Sequence, residues 1–486
     1  MLKESEIYTL IQEDMTSSKK KNASVGHRYY EGQHDILNYK LYYYNADGKL
    51  VEDTTRSNIK ICHPFFTELV DQCVQYMLSG DESFVKSDIP ELQDELDLYF
   101  GDEFRSEFAD TLTDVCAGGF GYMYAYKSIS DRLAFQYADA MGVVEVRAKD
   151  TDDHTEYIIY WYIDRIDKGT KKIKRIQVWD KEKVTYFVQV EEGKIQRDED
   201  EPLNPRPHIV YEKDNEEGKF GDSLGFIPFF RLDTNRKLTS HLQPVKALID
   251  DYDLMACGLS NNIQDVSEAV WVVKGFQGDN LEEMIQNVKT KKHIGVEPDG
   301  DVDIKTIDIP HQARLNKLDV DEKNIYRFGM GFNSAQLGDG NITNVVIKSR
   351  YALLDLKCNK LETKVKAFLK KLVKIALQEI NEINGSDYQV SDVYFEFDRE
   401  VMTNASDNAL IEKTEAETQQ IRLTTILNAA ARLDNDTVLS AICDLFEFDF
   451  EDVKSNIEQN PVVDLNSASE TLANLPVDDS GGDVNE

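Results

Sequence analysis

The chain has no CxxC pair. Its six cysteines (Cys62, Cys73, Cys116, Cys257, Cys358 and Cys443) are scattered singly through 486 residues. That spacing speaks against a structural zinc site or a secreted disulfide framework, so free thiols in a reducing compartment are expected. Long apolar runs are also missing: no segment reaches the roughly 18 uninterrupted apolar residues of a membrane span. The N-terminal MLKESEIYTLIQEDMTSSKKKN alternates charged with apolar residues and lacks the apolar block of a signal peptide. A soluble protein that is not exported by such a peptide is expected. Basic charge is scarce, with 55 Lys and Arg against 90 Asp and Glu and a net charge of −35. Tight sequence-independent binding to nucleic acid needs cations that displace counterions from phosphates, and this balance argues against it.

The usual signatures of catalysis are absent too. A Walker loop needs Lys and then Ser or Thr after its last glycine. In GMGFNSAQLGDGNITN, residues 329–344, the residues after Gly338 and Gly340 are Asp339 and Asn341, and an anionic side chain in the cradle would repel phosphate. CAGGFGYMYAYKS, residues 116–128, does not fit GxGxxG and lies between a helical pattern and a strand, the wrong order for a dinucleotide fold. Close helix packing or a tight turn is the reading there, with Tyr122, Tyr124 and Tyr126 on one strand face. The histidines (His27, His34, His63, His154, His208, His241, His293, His311) show no HExxH or HxH spacing and read as surface or packing residues. Asp250-Asp251 and Asp152-Asp153 could hold magnesium, yet such pairs arise by chance among 90 carboxylates. No Ser, Cys or Thr stands in a nucleophile motif. No catalytic residue, metal or cofactor is assigned.

What is present is a sequence of alternating periods. Residues 1 to about 110 read as mostly helical, with Phe65, Leu69, Cys73, Tyr76 and Met77 at three- and four-residue steps and Gly80 as a stop. From about 120 to 235, EYIIYWYIDRI, KKIKRIQVWD and KVTYFVQVEEGKIQ read as strands and hairpins. From Thr239 an amphipathic helix of about seven turns is expected, its stripe running from Val245 to Val266 with Asp250, Asp251 and Asp253 on other faces. A compact α/β insert follows: AVWVVKGF as a strand, NLEEMIQNVKTKK as a helix, and HIGVEP with VDIKTIDI as a hairpin around Pro298-Asp299-Gly300. A helix from about His311 to Phe328 leads into the glycine-rich segment.

Beyond it, Ile347, Tyr351, Leu354, Cys358, Leu361, Val365, Phe368, Leu372 and Ile375 alternate steps of four and three. With Thr343 or Asn344 as N-cap and Gly385 as stop, the spacing predicts one helix of about 40 residues and roughly 60 Å. Its lysines (Lys360, Lys364, Lys366, Lys370, Lys371, Lys374) read as a solvated face, although the coiled-coil-like period beside them leaves a subunit contact open. VSDVYFEFD alternates like a strand that returns to the β-rich region. Two or three helices fit residues 406 to about 458, with a turn at Leu433-Asp434-Asn435-Asp436, and an acidic tail without order is expected from about Pro461.

This order of segments resembles the portal proteins of tailed double-stranded DNA phages, in the branch of siphophages that infect Gram-positive bacteria. The matching stretches are HPFFTELVDQCVQYMLSG, CAGGFGYMYAY, LQPVKALIDDYDLMACGLSNNIQD, the α/β insert, FNSAQLGDGNITNVVIKSRYALLDLKCNKLETKVKAFLKKL and VYFEFDRE. They cover most of residues 60 to 400. The resemblance implies an α+β portal fold with wing, stem, clip and crown: long stem and wing helices, a β-rich wing, a small α/β clip insert and a helical crown. Wing would be 1–238, stem helices 239–267 and 311–330, clip 268–310, tunnel loop 331–343, long helix with returning wing strand 344–404, crown 405–460 and tail 461–486.

The function implied is a ring-shaped channel at the capsid vertex, a conduit for DNA packaging and ejection, and a platform for terminase and the head–tail connector. Twelve copies would close into the ring in the virion, after synthesis in the host cytoplasm. Implied partners are the terminase, the major capsid and scaffolding proteins, a head–tail adaptor and, weakly and without sequence preference, the double-stranded DNA passing through; no membrane is implied. Asn333, Ser334, Gln336, Asp339 and Asn341 of the tunnel loop would face DNA, with Gly331, Gly338 and Gly340 as hinges. Lys289, Lys291 and Lys292 of the clip would contact a partner outside the capsid. Small polar side chains on a glycine-rich backbone suit weak, exchangeable contacts with a moving polyanion. Acidity then suits a conduit that must not hold its cargo, and residues 401–486, with 18 acidic and 4 basic side chains, contribute heavily. The alternatives are a magnesium-dependent nuclease or phosphotransferase using the acidic pairs, or an acidic coiled-coil scaffold protein.

Overall fold

A computed structural model describes residues 2–54, 56–80, 83–128, 132–148, 155–166, 171–212, 219–266, 270–276, 296–305, 311–333, 344–399, 405–446 and 448–459. The chain divides into two compact units, one formed by Met1–Gln336 with Arg350–Glu400 and the other by Leu337–Ser349 with Val401–Glu486.

The first unit begins with helices α1 (Glu4–Thr16) and α2 (Ser18–Tyr30). Ser17 between them accepts a hydrogen bond from the Lys20 amide and so caps α2. Both helices lie on the β-rich region expected from the aromatic and β-branched runs. Its six-stranded antiparallel sheet has the spatial order 196–197, 183–190, 171–179, 155–166, 143–147, with 206–207 also paired to 183–190. Successive residues of these strands point to opposite faces, and both faces are covered. Val144, Ile159, Ile176, Val178 and Phe187 pack against Ile7 and Ile11 of α1. Val143, Ile158, Trp179 and Val184 pack against Ala23 of α2 and against Phe120, Tyr122 and Ala138. The last three belong to a second sheet, ordered 229–233, 120–127, 133–138. Burial of each such Ile or Val stabilises the fold by about 1.5–3 kcal/mol.

Helices α3 (Phe65–Met77), α4 (Pro90–Phe100) and α5 (Asp102–Gly118) complete the N-terminal helical part. α3 ends at Met77, before the expected stop at Gly80. α5 ends at Gly119, whose φ of +95° is left-handed and whose missing Cβ leaves room for the Leu238 carbonyl. The glycines of CAGGFG therefore make the helix-to-strand turn, as the sequence suggests.

Residues 241–245 form turns, and α6 runs from Lys246 to Val266, seven residues later than the expected start at Thr239. The strands Val270–Phe276 and Val296–Lys305 pair directly. The expected hairpin around Pro298-Asp299-Gly300 is a correction: these residues are extra residues of a bulge, because Phe276 pairs with Val296 and Lys274 with Asp301. The expected helix over 280–292 lies outside the described residues. α7 (His311–Gly329) lies beside α6, and the two are joined by Lys317 of α7 to Asp251 of α6 at 2.5 Å.

α8 spans Asn344–Asn384, 41 residues, and Gly385 follows it with a φ of +66°. Leu354, Cys358, Leu361, Val365, Phe368 and Leu372 are buried as the stripe predicts, but Leu369, Val373, Ala376, Leu377 and Ile380 are buried as well. The apolar face is thus wide, suited to a core helix more than to a narrow seam. Lys360, Lys364, Lys370, Lys371 and Lys374 are exposed. Tyr394–Phe395 pair with Val85–Lys86 and not with the β-rich region, a second correction.

The second unit holds α9 (Ala405–Ala430), α10 (Asn435–Phe446) and α11 (Phe450–Gln459). Asp434 and Asp449 accept amide hydrogen bonds that cap α10 and α11, and Val438, Leu439 and Cys443 are buried apolar residues among those described. The tail from Pro461 lies outside the described residues.

Candidate functional site at the base of the glycine-rich segment

The segment between α7 and α8 is described up to Asn333, and its base is fixed by α3. The Gly331 amide donates to the Tyr326 carbonyl at 2.9 Å, closing the last turn of α7, and Met330 has a φ of +55°. Gln72 of α3 then holds the departing backbone from both sides. Its Oε1 accepts from the Phe332 amide at 2.9 Å, and its Nε2 donates to the Phe332 carbonyl at 2.7 Å. The Phe332 ring stacks on Tyr351 of α8 at 4.8 Å, and Tyr351 in turn meets Tyr76 of α3 at 5.6 Å.

Glycine is needed here for packing. A Cβ on Gly331 would lie 2.2 Å from Leu69 Cδ2, and one on Gly329 2.5 Å from Leu69 Cδ1. Gly331 is thus an anchored close-approach position. Asn333 donates from Nδ2 to Glu322 of α7 at 2.8 Å. Ser334, Gln336, Gly338, Asp339, Gly340 and Asn341 lie outside the described residues, as do Lys289, Lys291 and Lys292.

A small cleft of about 180 Å³ opens at this base, lined by Lys323, Tyr326, Arg327, Phe332, Asn333 and Arg350. Three cations from two helices thus meet where the segment leaves the body. Composition alone conceals them, since each is a single basic residue in an acidic chain.

α6 is positioned by a buried polar centre. Asp253 is fully buried, although the helical wheel places it away from the apolar stripe, and this corrects the expectation. His34 Nδ1 lies 2.6 Å from Asp253 Oδ2, while the ring Nδ1 and the backbone amide of His63 lie 2.7 and 3.0 Å from Oδ1. Burial works to raise the pKa of Asp253, but the hydrogen bonds from His34 and His63 outweigh it and hold the carboxyl below the usual range. Sequence gave no signal for this contact, because the partners are 219 and 190 residues away. The neighbouring Asp250 and Asp251 do not act together: Asp250 pairs with Lys246 at 2.7 Å and Asp251 with Lys317. Asp152 and Asp153 lie outside the described residues.

A third centre joins α3, α5 and α8. Cys73, Cys116 and Cys358 are buried, with Cys73 and Cys358 Sγ 3.7 Å apart. The His241 amide donates to the Cys116 carbonyl at 3.0 Å, which brings its ring into the same place. Sγ of Cys73 and Cys116 and a ring nitrogen of His241 all lie within 4.8 Å of one another. Burial, helped by the Lys357 charge, pushes His241 down to about 4. Lys357 is itself buried and donates to the Gly329 and Leu69 carbonyls at 3.1 and 3.5 Å, linking this centre to the base of the glycine-rich segment.

Among the described residues no helix is long and apolar enough to cross a membrane. The family model described as phage portal protein, SPP1 Gp6-like, matches residues 13–457. The portal protein of Bacillus phage SPP1 is 25% identical over 366 residues, covering 74% of this chain and 71% of its own. The portal protein of Clostridium phage phiCD119 is 25% identical over 379 residues, covering 71% of this chain and 78% of its own. A chain from a solved structure titled as the neck of a native GTA particle computed with C12 symmetry overlaps at a TM-score of 0.38 and 12% identity, covering 77% of this chain and 88% of that one.

Proposed function

The chain belongs to the phage portal proteins of the SPP1 Gp6-like family, and from that premise we propose that copies of it close into a ring around a channel at the capsid vertex, through which DNA is packaged and ejected. The observation that carries the reading is the match over residues 13–457, which spans both units. Twelve copies in the virion, after synthesis in the host cytoplasm, agree with the resemblance read from the sequence. A closed ring needs heterologous contacts on two sides of each subunit, and α8, at 41 residues, offers an extended surface for them.

In this reading α6 and α7 are the stem, the strands Val270–Phe276 and Val296–Lys305 begin and end the clip, and α9 to α11 are the crown. The segment after Asn333 is the tunnel loop. Its described base supports that role: Gln72, Leu69 and the Phe332–Tyr351 stack clamp the backbone, so motion beyond it would not be transmitted into the core. Lys323, Arg327 and Arg350 would offer phosphate contacts near the loop that salt screens within about 10 Å. Asn333, Ser334, Gln336, Asp339 and Asn341 would make weak contacts with passing DNA, with freedom supplied at Gly338 and Gly340. Lys289, Lys291 and Lys292 would face the terminase during packaging and the head–tail adaptor afterwards, and the capsid and scaffolding proteins would surround the wing.

The nuclease reading loses its main premise, because Asp250 and Asp251 are each committed to a different lysine. Electron microscopy of the purified chain tests the proposal. Rings with an axial hole are expected, and a strictly monomeric species across protein concentrations would overturn it. Replacing Gly338 and Gly340 with bulky residues should leave rings intact and impair packaging, whereas unaltered packaging would remove the loop from the mechanism.

A further inference from the structure

We propose that Cys73, Cys116 and His241, with Cys358 beside Cys73 as the fourth donor, form a structural site for a soft divalent cation of the zinc class. The four residues come from four separate segments: α3, α5, α8 and the turns before α6. Spacing rules look for ligand pairs close in sequence, and this set has none, so only folding brings it together.

Three of the donors are already clustered, and Cys358 lies beside one of them. Zinc–sulfur bonds of about 2.3 Å set sulfurs about 3.8 Å apart in a tetrahedral site, and Cys73 and Cys358 Sγ are 3.7 Å apart. Cys116 Sγ and the His241 ring lie within 4.8 Å of Cys73 Sγ and of each other. Buried thiols alone would pack as small apolar groups. The imidazole is what such packing leaves unexplained: His241 Nδ1 is buried with no hydrogen-bond partner, a costly state that a metal bond through that nitrogen would relieve. Charge points the same way. Three thiolates and a neutral imidazole around a divalent ion carry one net negative charge, and buried Lys357, the residue before Cys358, supplies one positive charge. Among the described residues its bonding partners are carbonyls, and no carboxylate pairs with it. An ion could enter through the cavity of about 700 Å³ whose lining includes His241, Ser240 and Lys357. The ion would fasten α3, α5 and α8 where they support the base of the glycine-rich segment.

The test uses the full chain, purified without chelator, with zinc measured by elemental analysis. One zinc per chain is expected. After removal of the metal, titration with Co²⁺ should give the ligand-field and sulfur-to-cobalt charge-transfer bands of a tetrahedral thiolate site. Cys116→Ser should lose most of the retained metal, while Cys443→Ser, which lies in the other unit, should keep it. A wild-type chain that retains no zinc and gives only the spectrum of aqueous Co²⁺ overturns the proposal, and so does undiminished cobalt binding in folded Cys116→Ser. If that variant does not fold, the wild-type zinc content and cobalt spectrum decide by themselves.

Discussion

Lys20 and Lys357 are both buried in the first unit, in two different regions, and both donate to backbone carbonyls. Lys20 of α2 reaches the corner of the six-stranded sheet, donating to the Ala140 carbonyl and, at 2.9 Å, to that of Val143. Lys357 of α8 reaches the base of the glycine-rich segment through Gly329 and Leu69. The difference lies in the counter-charge. Lys20 has Asp14 at 3.3 Å, whereas Lys357 stands beside thiols and an imidazole. A buried cation is tolerated only when something nearby balances it. In the sheet corner that partner is a carboxylate one helix away; under the glycine-rich segment it is the cysteine–histidine centre.

The strongest test of this contrast is Lys20→Met. It should cost about 3–5 kcal/mol, since it strands two carbonyls and a half-buried Asp14, and urea denaturation measures it. Lys357→Met should cost less in metal-free protein, where only carbonyl bonds are lost, and more once zinc is bound; equal costs in both states would break the comparison.

Asp253→Asn should rank next, at about 2 kcal/mol near neutral pH. Because the folded-state value of Asp253 is depressed, its stabilisation is fully present above the unfolded value of about 3.9 and disappears as pH falls through the folded value. Acid denaturation of the Asn variant should therefore be flatter below about pH 4 than that of the wild type.

Gly331→Val should cost about 1–3 kcal/mol by overpacking Leu69, read as a lower midpoint in urea with the sheet region still protected from hydrogen exchange. The last test is the pH dependence that Lys20 itself carries. Burial lowers it to about 8 even though Asp14 opposes the shift, so the folded chain binds its proton less tightly than the unfolded chain does. Stability should rise with pH between about 8 and 10, relative to Lys20→Met, in which that slope is absent.

Period and composition set a good part of this architecture. Alternating aromatic and β-branched residues mark the strands 155–166 and 171–179, and the four-and-three spacing from Ile347 marks a helix observed at 41 residues, because both patterns follow from local geometry that every residue repeats. The glycine pair at the end of α5 marks a turn for the same reason. The order of these elements along the chain was enough to suggest the portal family. Sequence could not place Asp253 in the core, choose Val85–Lys86 as the partner of Tyr394–Phe395, or open the supposed hairpin at Pro298 into a bulge. Nor could it gather Cys73, Cys116, His241 and Cys358. Those outcomes depend on contacts between residues up to 310 positions apart, where no local period carries information and the cost of burying a charge or an orphaned nitrogen is decided by whichever segment folding brings beside it.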